Sequence, residues 1–312
     1  MDKNSKLNIV EDEIDIRELV KTIISERRTI FFSTSIISLI ALLYCLFIPN
    51  IYKSTAILVP SDSSNSISGY LSSYSGLASL AGINLPSDGV ESNSVKAIEK
   101  LNSLSFFENH IMPQIFLPDL MALKSWDYES NKLIYKKNTY NFDTGKWIRD
   151  YSYPQKQKPS AQESFEEFLD NHLIISEDTV TGFISLSILH KSPFIAKNWA
   201  ELMIDEINAF YREKDKLESQ KAVAYLNEQI SMTNLSEIKQ AIAELLQQET
   251  QKLTLIEANT AYVFDYIDPP AIMEEEDQPK RLIIMALSIF FGFIASIIIV
   301  LVKSYLVKKV KV

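Results

Sequence analysis

The chain has 312 residues, of which 31 are basic and 40 acidic, and its formal net charge is −9. Because nucleic-acid binding requires a basic face for the phosphates, this balance argues against a nucleic-acid partner. The single cysteine, Cys45, excludes an intramolecular disulfide.

Two apolar segments are each long enough to cross a bilayer, which takes about 20 residues. Residues 30–48 contain no charged side chain, and neither do residues 282–302. The acidic stretch before the first segment is too long for a signal-peptide n-region, and no A-x-A-like cleavage site precedes PNIYKS. We therefore expect two uncleaved transmembrane helices.

Basic residues predict the orientation of these spans, because Lys and Arg concentrate on the cytoplasmic side. They precede the first span and follow the second, although Lys280 and Arg281 touch the second span on its other side. We therefore expect a cytoplasmic N-terminal segment (1–29), a cytoplasmic tail (303–312) and a periplasmic domain (49–281) with a net charge of −12.

The first part of the chain mixes helical and strand patterns. Residues 8–28 have apolar residues at helical spacing, which predicts an amphipathic helix. IYKSTAILVP alternates like a strand that stops at Pro60. The Ser/Gly-rich stretch that follows has the composition of a linker, but its leucines and isoleucines suggest that part of it packs. Residues 91–112 have a helical pattern.

Eight aromatic residues crowd between Trp126 and Tyr153. Aromatic faces can stack on sugar rings, although such residues more often fill a core, and both interpretations stay open. The next stretch, PSAQESFEEFLDNH, predicts a helix with Ser160 near its start. The alternation on both sides of Asp178–Gly182 then predicts a β-hairpin.

The strongest helical signal begins at Ser192 and Pro193, which suit an N-cap and the first helical position. It is broken near Thr233, where Asn234 and Glu237 resemble a capping box. The residues after the break repeat at the spacing of a helix that packs against a partner helix: Leu235, Ile238, Ile242 and Leu245. Residues from about 193 to 258 thus predict a long helical hairpin, and AYVFDYIDPP predicts a strand that closes a sheet.

Patterns that carry catalysis are missing from the sequence. His110, His172 and His190 stand apart without metal-ligand spacing, and the chain has neither a GxxxxGK[ST] loop nor an Asp-x-Asp pair. We therefore predict no enzymatic activity, no cofactor and no metal site. A catalytic dyad assembled only by the fold stays open.

Several stretches, in their order along the chain, resemble the Wzz-type polysaccharide co-polymerases, the chain-length determinants of lipopolysaccharide O-antigen and related bacterial glycans. They are EIDIRELVKTI, PNIYKSTAILVP, GLASLAGINLP, GKWIRD with KPSAQESFEEF, HKSPFIAKNWAELMIDEINAFYREKD and DPPAIMEEEDQPKRLII. The resemblance implies an α+β fold with a membrane-proximal α/β base, a long projecting helical hairpin and two transmembrane anchors.

The resemblance also implies a function. The chain would be a non-catalytic inner-membrane homo-oligomer that regulates polymer length alongside a Wzy-type polymerase acting on lipid-linked glycan. The family's segment before the second span is carried over as a membrane-proximal motif of Pro269, Pro270, Pro279 and Lys280, and Gly292 as a packing position within the span. The EEED run at 274–277 departs from the family's proline-rich pattern there.

One apolar stripe on the long helix is a candidate oligomer interface, because such a stripe needs a partner surface. Its members are Ile195, Trp199, Leu202 and Phe210. The alternative is that the stripe only covers the sheet of its own chain.

Other functions stay open at this stage. The same family includes adaptors for a separate tyrosine kinase in capsule or exopolysaccharide export. Two spans around an outer domain also suit a membrane-anchored glycan-binding receptor or a hydrolase, although ten residues after the second span are few for a sensor's output module. The polysaccharide itself is left open among O-antigen, capsule, enterobacterial common antigen and exopolysaccharide.

Overall fold

The computed structural model describes residues 22–61 and 93–310 and divides into two compact units, residues 1–49 with 278–312, and residues 50–277. The predicted N-terminal amphipathic helix lies mostly outside the described residues, and the predicted packing of the Ser/Gly-rich stretch lies wholly outside them. The elements, in chain order, are α1 (Arg27–Phe47), β1 (Tyr52–Pro60), α2 (Asn93–Leu101), α3 (Leu104–Phe106) with a π-helical turn (Phe107–Ile111), α4 (Leu117–Met121), β2 (Leu123–Asp127), β3 (Lys132–Tyr135), β4 (Tyr140–Asn141), β5 (Lys146–Trp147), α5 (Ala161–Asn171), β6 (Leu173–Glu177), β7 (Ile184–His190), α6 (Pro193–Met232), α7 (Ser236–Ala258), β8 (Phe264–Asp268) and α8 (Arg281–Val310).

The larger unit is built on a four-stranded sheet in the order β6-β7-β1-β8, in which every neighbouring pair is antiparallel. Strand β1 alternates buried and half-buried residues, which places Ala56 and Leu58 in the core. The predicted hairpin forms from β6 and β7, and Gly182 adopts the positive φ of 71° that its turn requires. Strand β8 lies at one edge of the sheet beside β1, where it is the last strand of the sheet, as predicted. The α+β class is confirmed.

Helix α6 covers the sheet with its first half. Small residues such as Ala196 and Ala200 are fully buried and allow the helix to approach the strands closely, while Ile204 and Ile207 fill the space beside them. Ser192 and Pro193 take the predicted N-cap and first helical positions. All but one of the buried residues of α6 lie before residue 212, so the second half of this 40-residue helix extends beyond the core.

The second half of α6 packs against α7 as an antiparallel hairpin. Lys216 Nζ lies 2.5 Å from Glu257 Oε1, and the Tyr262 hydroxyl donates to Asp215 Oδ2 at 2.6 Å. The predicted break is confirmed, but the predicted capping box is not. Helix α7 begins at Ser236 after Leu235 as N-cap, with no side-chain cap bond.

Two further boundaries differ from the predictions. The predicted helix over residues 91–112 is divided after α2, because Ser103 adopts extended backbone and caps α3 by accepting from the Phe106 N–H. The second apolar helix runs from Arg281 to Val310, so it contains the predicted span of residues 282–302 and continues into the segment predicted as a tail. The Ser160 cap of α5 is confirmed, since its hydroxyl accepts from the Glu163 N–H.

Candidate functional site

The two helices of the smaller unit are long and apolar enough to cross a membrane. They pack antiparallel, and Gly292 of α8 lies against Ile37 of α1. A Cβ atom at Gly292 would lie 3.1 Å from Ile37 Cγ2 and 3.3 Å from Ile37 Cβ, which is closer than ordinary van der Waals contact. The glycine therefore permits the two helices to approach, as small residues do in membrane helix pairs.

A polar contact lies one turn from Gly292. The Ser296 and Thr34 hydroxyl oxygens are 3.2 Å apart, and Ser296 is fully buried. Each hydroxyl has a single proton, so only one of the two donates to its own helix, either Ser296 to the Gly292 carbonyl at 2.7 Å or Thr34 to the Ile30 carbonyl at 2.9 Å, while the other donates across the helix pair. Because these hydroxyls are satisfied inside the helix pair, the pair has a defined register that a sequence of apolar residues alone would not give.

The prolines after β8 belong to a segment of residues 269–277, called the acidic strap, that continues along β1. Pro269 is exposed and Pro270 buried directly after the strand. The Ser54 hydroxyl donates to the Ala271 carbonyl at 2.8 Å, and the Asp277 N–H donates to the Ile51 carbonyl at 2.8 Å. The strap is therefore hydrogen-bonded to the first strand of the larger unit at both of these points.

Pro279 and Lys280 lie in the smaller unit, at the start of α8. The Lys280 carbonyl accepts from the Ile283 and Ile284 N–H groups at 3.0 and 3.1 Å, and the Pro279 carbonyl accepts from Arg281 at 2.8 Å. These bonds start the helix, and proline at this position removes no helical donor. The four predicted motif residues thus divide into two that follow β8 and two that initiate α8.

The predicted interface stripe of α6 packs within its own chain. Trp199 is 6% exposed and lies 4.9 Å from His190 between ring centroids, while Ile195, Leu202 and Phe210 are half-buried against the core. Phe210 contacts Phe106 edge-on at 6.1 Å. The structure thus accounts for most of this apolar surface without a partner, and the role of the stripe in an oligomer stays a prediction.

Several apolar side chains further along the helical hairpin are more exposed, and we call this set the distal face. Its members are each between 45% and 64% exposed: Leu217, Tyr225, Met232, Leu235, Ile238, Leu245 and Leu255. The sequence contained the signal in the repeat that starts at Leu235. That repeat predicted packing against a partner helix; α7 does pack against α6, yet Leu235, Ile238 and Leu245 remain about half exposed.

One of the three histidines, His190, is buried in the core with a hydrogen-bond partner at each ring nitrogen. Ser192 N–H donates to His190 Nδ1 at 3.0 Å, so the neutral ring carries its proton on Nε2, 3.2 Å from the Asp119 carbonyl. Burial lowers the pKa of His190 to about 3, and nearby His172 acts in the same direction. Among residues 22–61 and 93–310, no three His, Cys, Asp or Glu side chains are grouped to hold a metal ion.

Comparison with known proteins gives one match in sequence and several in structure. Residues 12–111 match the family model for Wzz, chain length determinant protein, which confirms the resemblance predicted from the sequence. No curated protein matches the chain.

Three of the structural matches illustrate the likeness, each at low sequence identity. One is a full-length bacterial polysaccharide co-polymerase, with a TM-score of 0.40 and 13% identity over 94% of this chain and 99% of that chain. Another is a fragment of WzzB, a polysaccharide co-polymerase from Salmonella Typhimurium, with a TM-score of 0.27 and 17% identity over 73% and 100% of the two chains. A third is a mutant of the Shigella flexneri lipopolysaccharide O-antigen chain-length regulator, with a TM-score of 0.26 and 12% identity over the same shares.

Proposed function

We propose that this protein regulates the chain length of a bacterial surface polysaccharide, most specifically lipopolysaccharide O-antigen, as a non-catalytic co-polymerase. The observation that carries the proposal is the match of residues 12–111 to the chain length determinant family. It is supported by the architecture, in which an α+β unit is inserted between two helices of membrane-spanning length.

The proposal includes a membrane position and partners. The protein resides in the inner membrane with both termini in the cytoplasm and residues 49–281 in the periplasm, and it acts with a Wzy-type polymerase on lipid-linked glycan. The placement of Lys and Arg outside the spans supports the orientation. A reporter fused at Val312 that is active only in the cytoplasm supports this topology, and activity in the periplasm would refute it.

The protein acts as a homo-oligomer in this proposal, and the distal face supports an interface on the helical hairpin. Large apolar side chains that remain half exposed on two packed helices gain free energy when a second copy covers them. Cross-linking in membranes through cysteines at Leu217 and Leu245 should yield oligomers. The matched control replaces exposed Lys221 and Lys239 of the same hairpin with cysteine. Monomer alone at every position would contradict the oligomer.

Deletion of the gene tests the proposed function directly. A regulator leaves the polymer present but removes its preferred length, so the deletion strain should make glycan with an unregulated size distribution. Re-expression of the full chain should restore a modal band on a glycan gel. Complete loss of polymer, with neighbouring genes still expressed, would instead indicate a polymerase or transferase.

A further inference from the structure

The charge of the larger unit is unevenly distributed. Residues 123–158, which we call the basic lobe, contain 8 basic and 4 acidic residues, whereas the rest of residues 49–281 contains 13 basic and 29 acidic residues. Seven of the basic residues are lysines, and all seven are exposed. Within the part of the chain that the structure describes, none of these lysines is in a salt bridge. The lobe is therefore a positive surface on an acidic domain.

Exposed aromatic rings concentrate in the same region. Among the described residues of the larger unit, five of the eight exposed Phe and Tyr side chains lie between Phe116 and Tyr153. Phe142 is 63% exposed and stacks on Tyr135, with ring centroids 5.2 Å apart and planes within 8°. Tyr135 thus covers part of the Phe142 ring, and most of the Phe142 side chain remains accessible to solvent. Phe116, 47% exposed, extends this surface by its edge contact with Tyr135.

Hydrogen bonds hold the strands and turns that carry these rings in place. The Tyr135 hydroxyl donates to Asp119 Oδ1 at 2.6 Å, and burial raises the pKa of the Asp119 carboxyl. The Lys136 N–H donates to the Ala122 carbonyl at 2.8 Å, and Asn141 Oδ1 accepts from the Thr144 N–H at 3.2 Å. A surface fixed before binding loses little conformational entropy when a ligand arrives.

Arg149 fixes the second half of the lobe. Its guanidinium donates to both carboxylate oxygens of Glu163, and also to the carbonyls of Lys156 at 2.6 Å and Gln157 at 3.0 Å. The loop that carries Tyr151 and Tyr153, 55% and 97% exposed, is thereby tied to helix α5. The lobe thus presents aromatic rings and lysines on an ordered support rather than on a free loop.

We infer that the basic lobe binds an anionic polysaccharide. Lysine ammonium groups attract carboxylate or phosphate substituents of acidic sugars, while the open faces of Phe142 and its neighbours pack against the C–H faces of the sugar rings. An anionic membrane surface would also attract basic residues. A glycan is favoured because the Phe142 ring is held parallel to Tyr135 and offers a flat aromatic surface on which a sugar ring can stack. This inference rests on the proposed function in taking a polysaccharide as the ligand.

Binding by the detergent-solubilised full-length protein tests the inference. The probe is an oligomer of six galacturonates, compared with maltohexaose, which has sugar rings without charge, and hexaglutamate, which has the charge without sugar rings. We expect the galacturonate oligomer to bind roughly tenfold more tightly than either control, because only it provides both interactions. Its affinity should fall as salt rises to about 0.5 M, since the lysines are exposed.

Two variants with matched controls locate the site. Phe142→Ala should weaken binding of the galacturonate oligomer about threefold to tenfold, whereas Val180→Ala, which removes a 90% exposed side chain elsewhere, should leave it unchanged. The double variant K136Q/K137Q should weaken binding similarly, whereas K221Q/K239Q, with the same charge change on the helical hairpin, should not. Unchanged unfolding temperatures check that the variants fold.

Several outcomes would overturn the inference. They are absence of binding, equal affinity for hexaglutamate and the galacturonate oligomer, binding only to phosphatidylglycerol vesicles, and equal effects of the site and control variants. The gene deletion separates this inference from the proposed function. If deletion abolishes length control but the basic lobe does not bind the galacturonate oligomer, only the inference about the lobe is refuted. If the lobe binds the oligomer but deletion leaves the glycan length unchanged, only the proposed function is refuted.

Discussion

Asn208 joins the long helix to the closing strand, and its removal should destabilise the larger unit. The side chain lies on α6 and is 8% exposed. Its Oδ1 accepts from the Val263 and Phe264 N–H groups at 2.8 and 2.9 Å, and its Nδ2 donates to the Phe264 carbonyl at 3.0 Å. Asn208→Ala therefore removes three hydrogen bonds at once from the point where the chain enters β8.

The size of the effect follows from these bonds. A buried polar group left without a partner costs roughly 1–3 kcal/mol, and Asn208→Ala leaves two N–H groups and one carbonyl in that condition. A water molecule in the vacated space would recover part of this cost, so we expect the free energy of unfolding to fall by about 3 kcal/mol. For a unit of this length, about 1 kcal/mol lowers the unfolding temperature by about 2–4 °C, which gives a fall of about 6–12 °C.

Thermal unfolding of the detergent-solubilised protein, followed by circular dichroism, measures the change. Asn198→Ala is the matched control, because Asn198 is exposed on the same helix and has the same helix propensity change. We expect the control to unfold within about 2 °C of the unsubstituted protein. If Asn208→Ala unfolds at the same temperature as Asn198→Ala, the three bonds do not hold the strand to the helix and the reasoning is wrong.

Three further predictions follow from the contacts described above. Gly292→Leu should separate the membrane helices at Ile37 and alter the glycan length profile, whereas Ala286→Leu, an exposed small-to-large change in the same span, should not; an unchanged profile with normal expression would contradict this. His190 stays neutral when folded because burial lowers its pKa to about 3, while an unfolded histidine protonates below about 6.5. The free energy of unfolding should therefore fall as the pH decreases below about 6.5, by up to about 1.4 kcal/mol per pH unit. If a His190→Gln variant loses stability with pH as steeply as the unsubstituted protein does, His190 is not the group responsible. Arg149→Ala should release the loop beyond it and speed trypsin cleavage after Lys156, and an unchanged rate at that bond would mean that the loop is held by other contacts.

The strands of the larger unit could be predicted because their sequences alternate with a period of two and end at turn residues. Pro60 ends β1, and Gly182 provides the left-handed residue of the β6–β7 turn. The long helix could be predicted from its capping residues and apolar stripe. These signals are local, so they can be read without knowledge of which elements are neighbours in space.

The remaining features depend on tertiary contacts. Asn208 gives no signal in the sequence, because its partners are more than 50 residues away in β8 and the loop before it. The stripe containing Trp199 was predicted as a candidate interface, yet only the fold reveals that His190 and Phe168 already cover it. The aromatic segment left two interpretations open, and the structure divides it into buried Tyr140 and exposed Phe142.

The hydrogen bond between Ile51 and Asp277 means that the larger unit begins and ends at one place. When that unit unfolds while the two long apolar helices stay paired, its two ends are held near each other, so the unfolded chain is a closed loop of about 230 residues. Closing a loop of this length removes chain entropy equivalent to about 5 kcal/mol from the unfolded state, as a disulfide would. The pair of apolar helices thus acts as a cross-link, and the excised domain should be less stable than the same residues in the full chain.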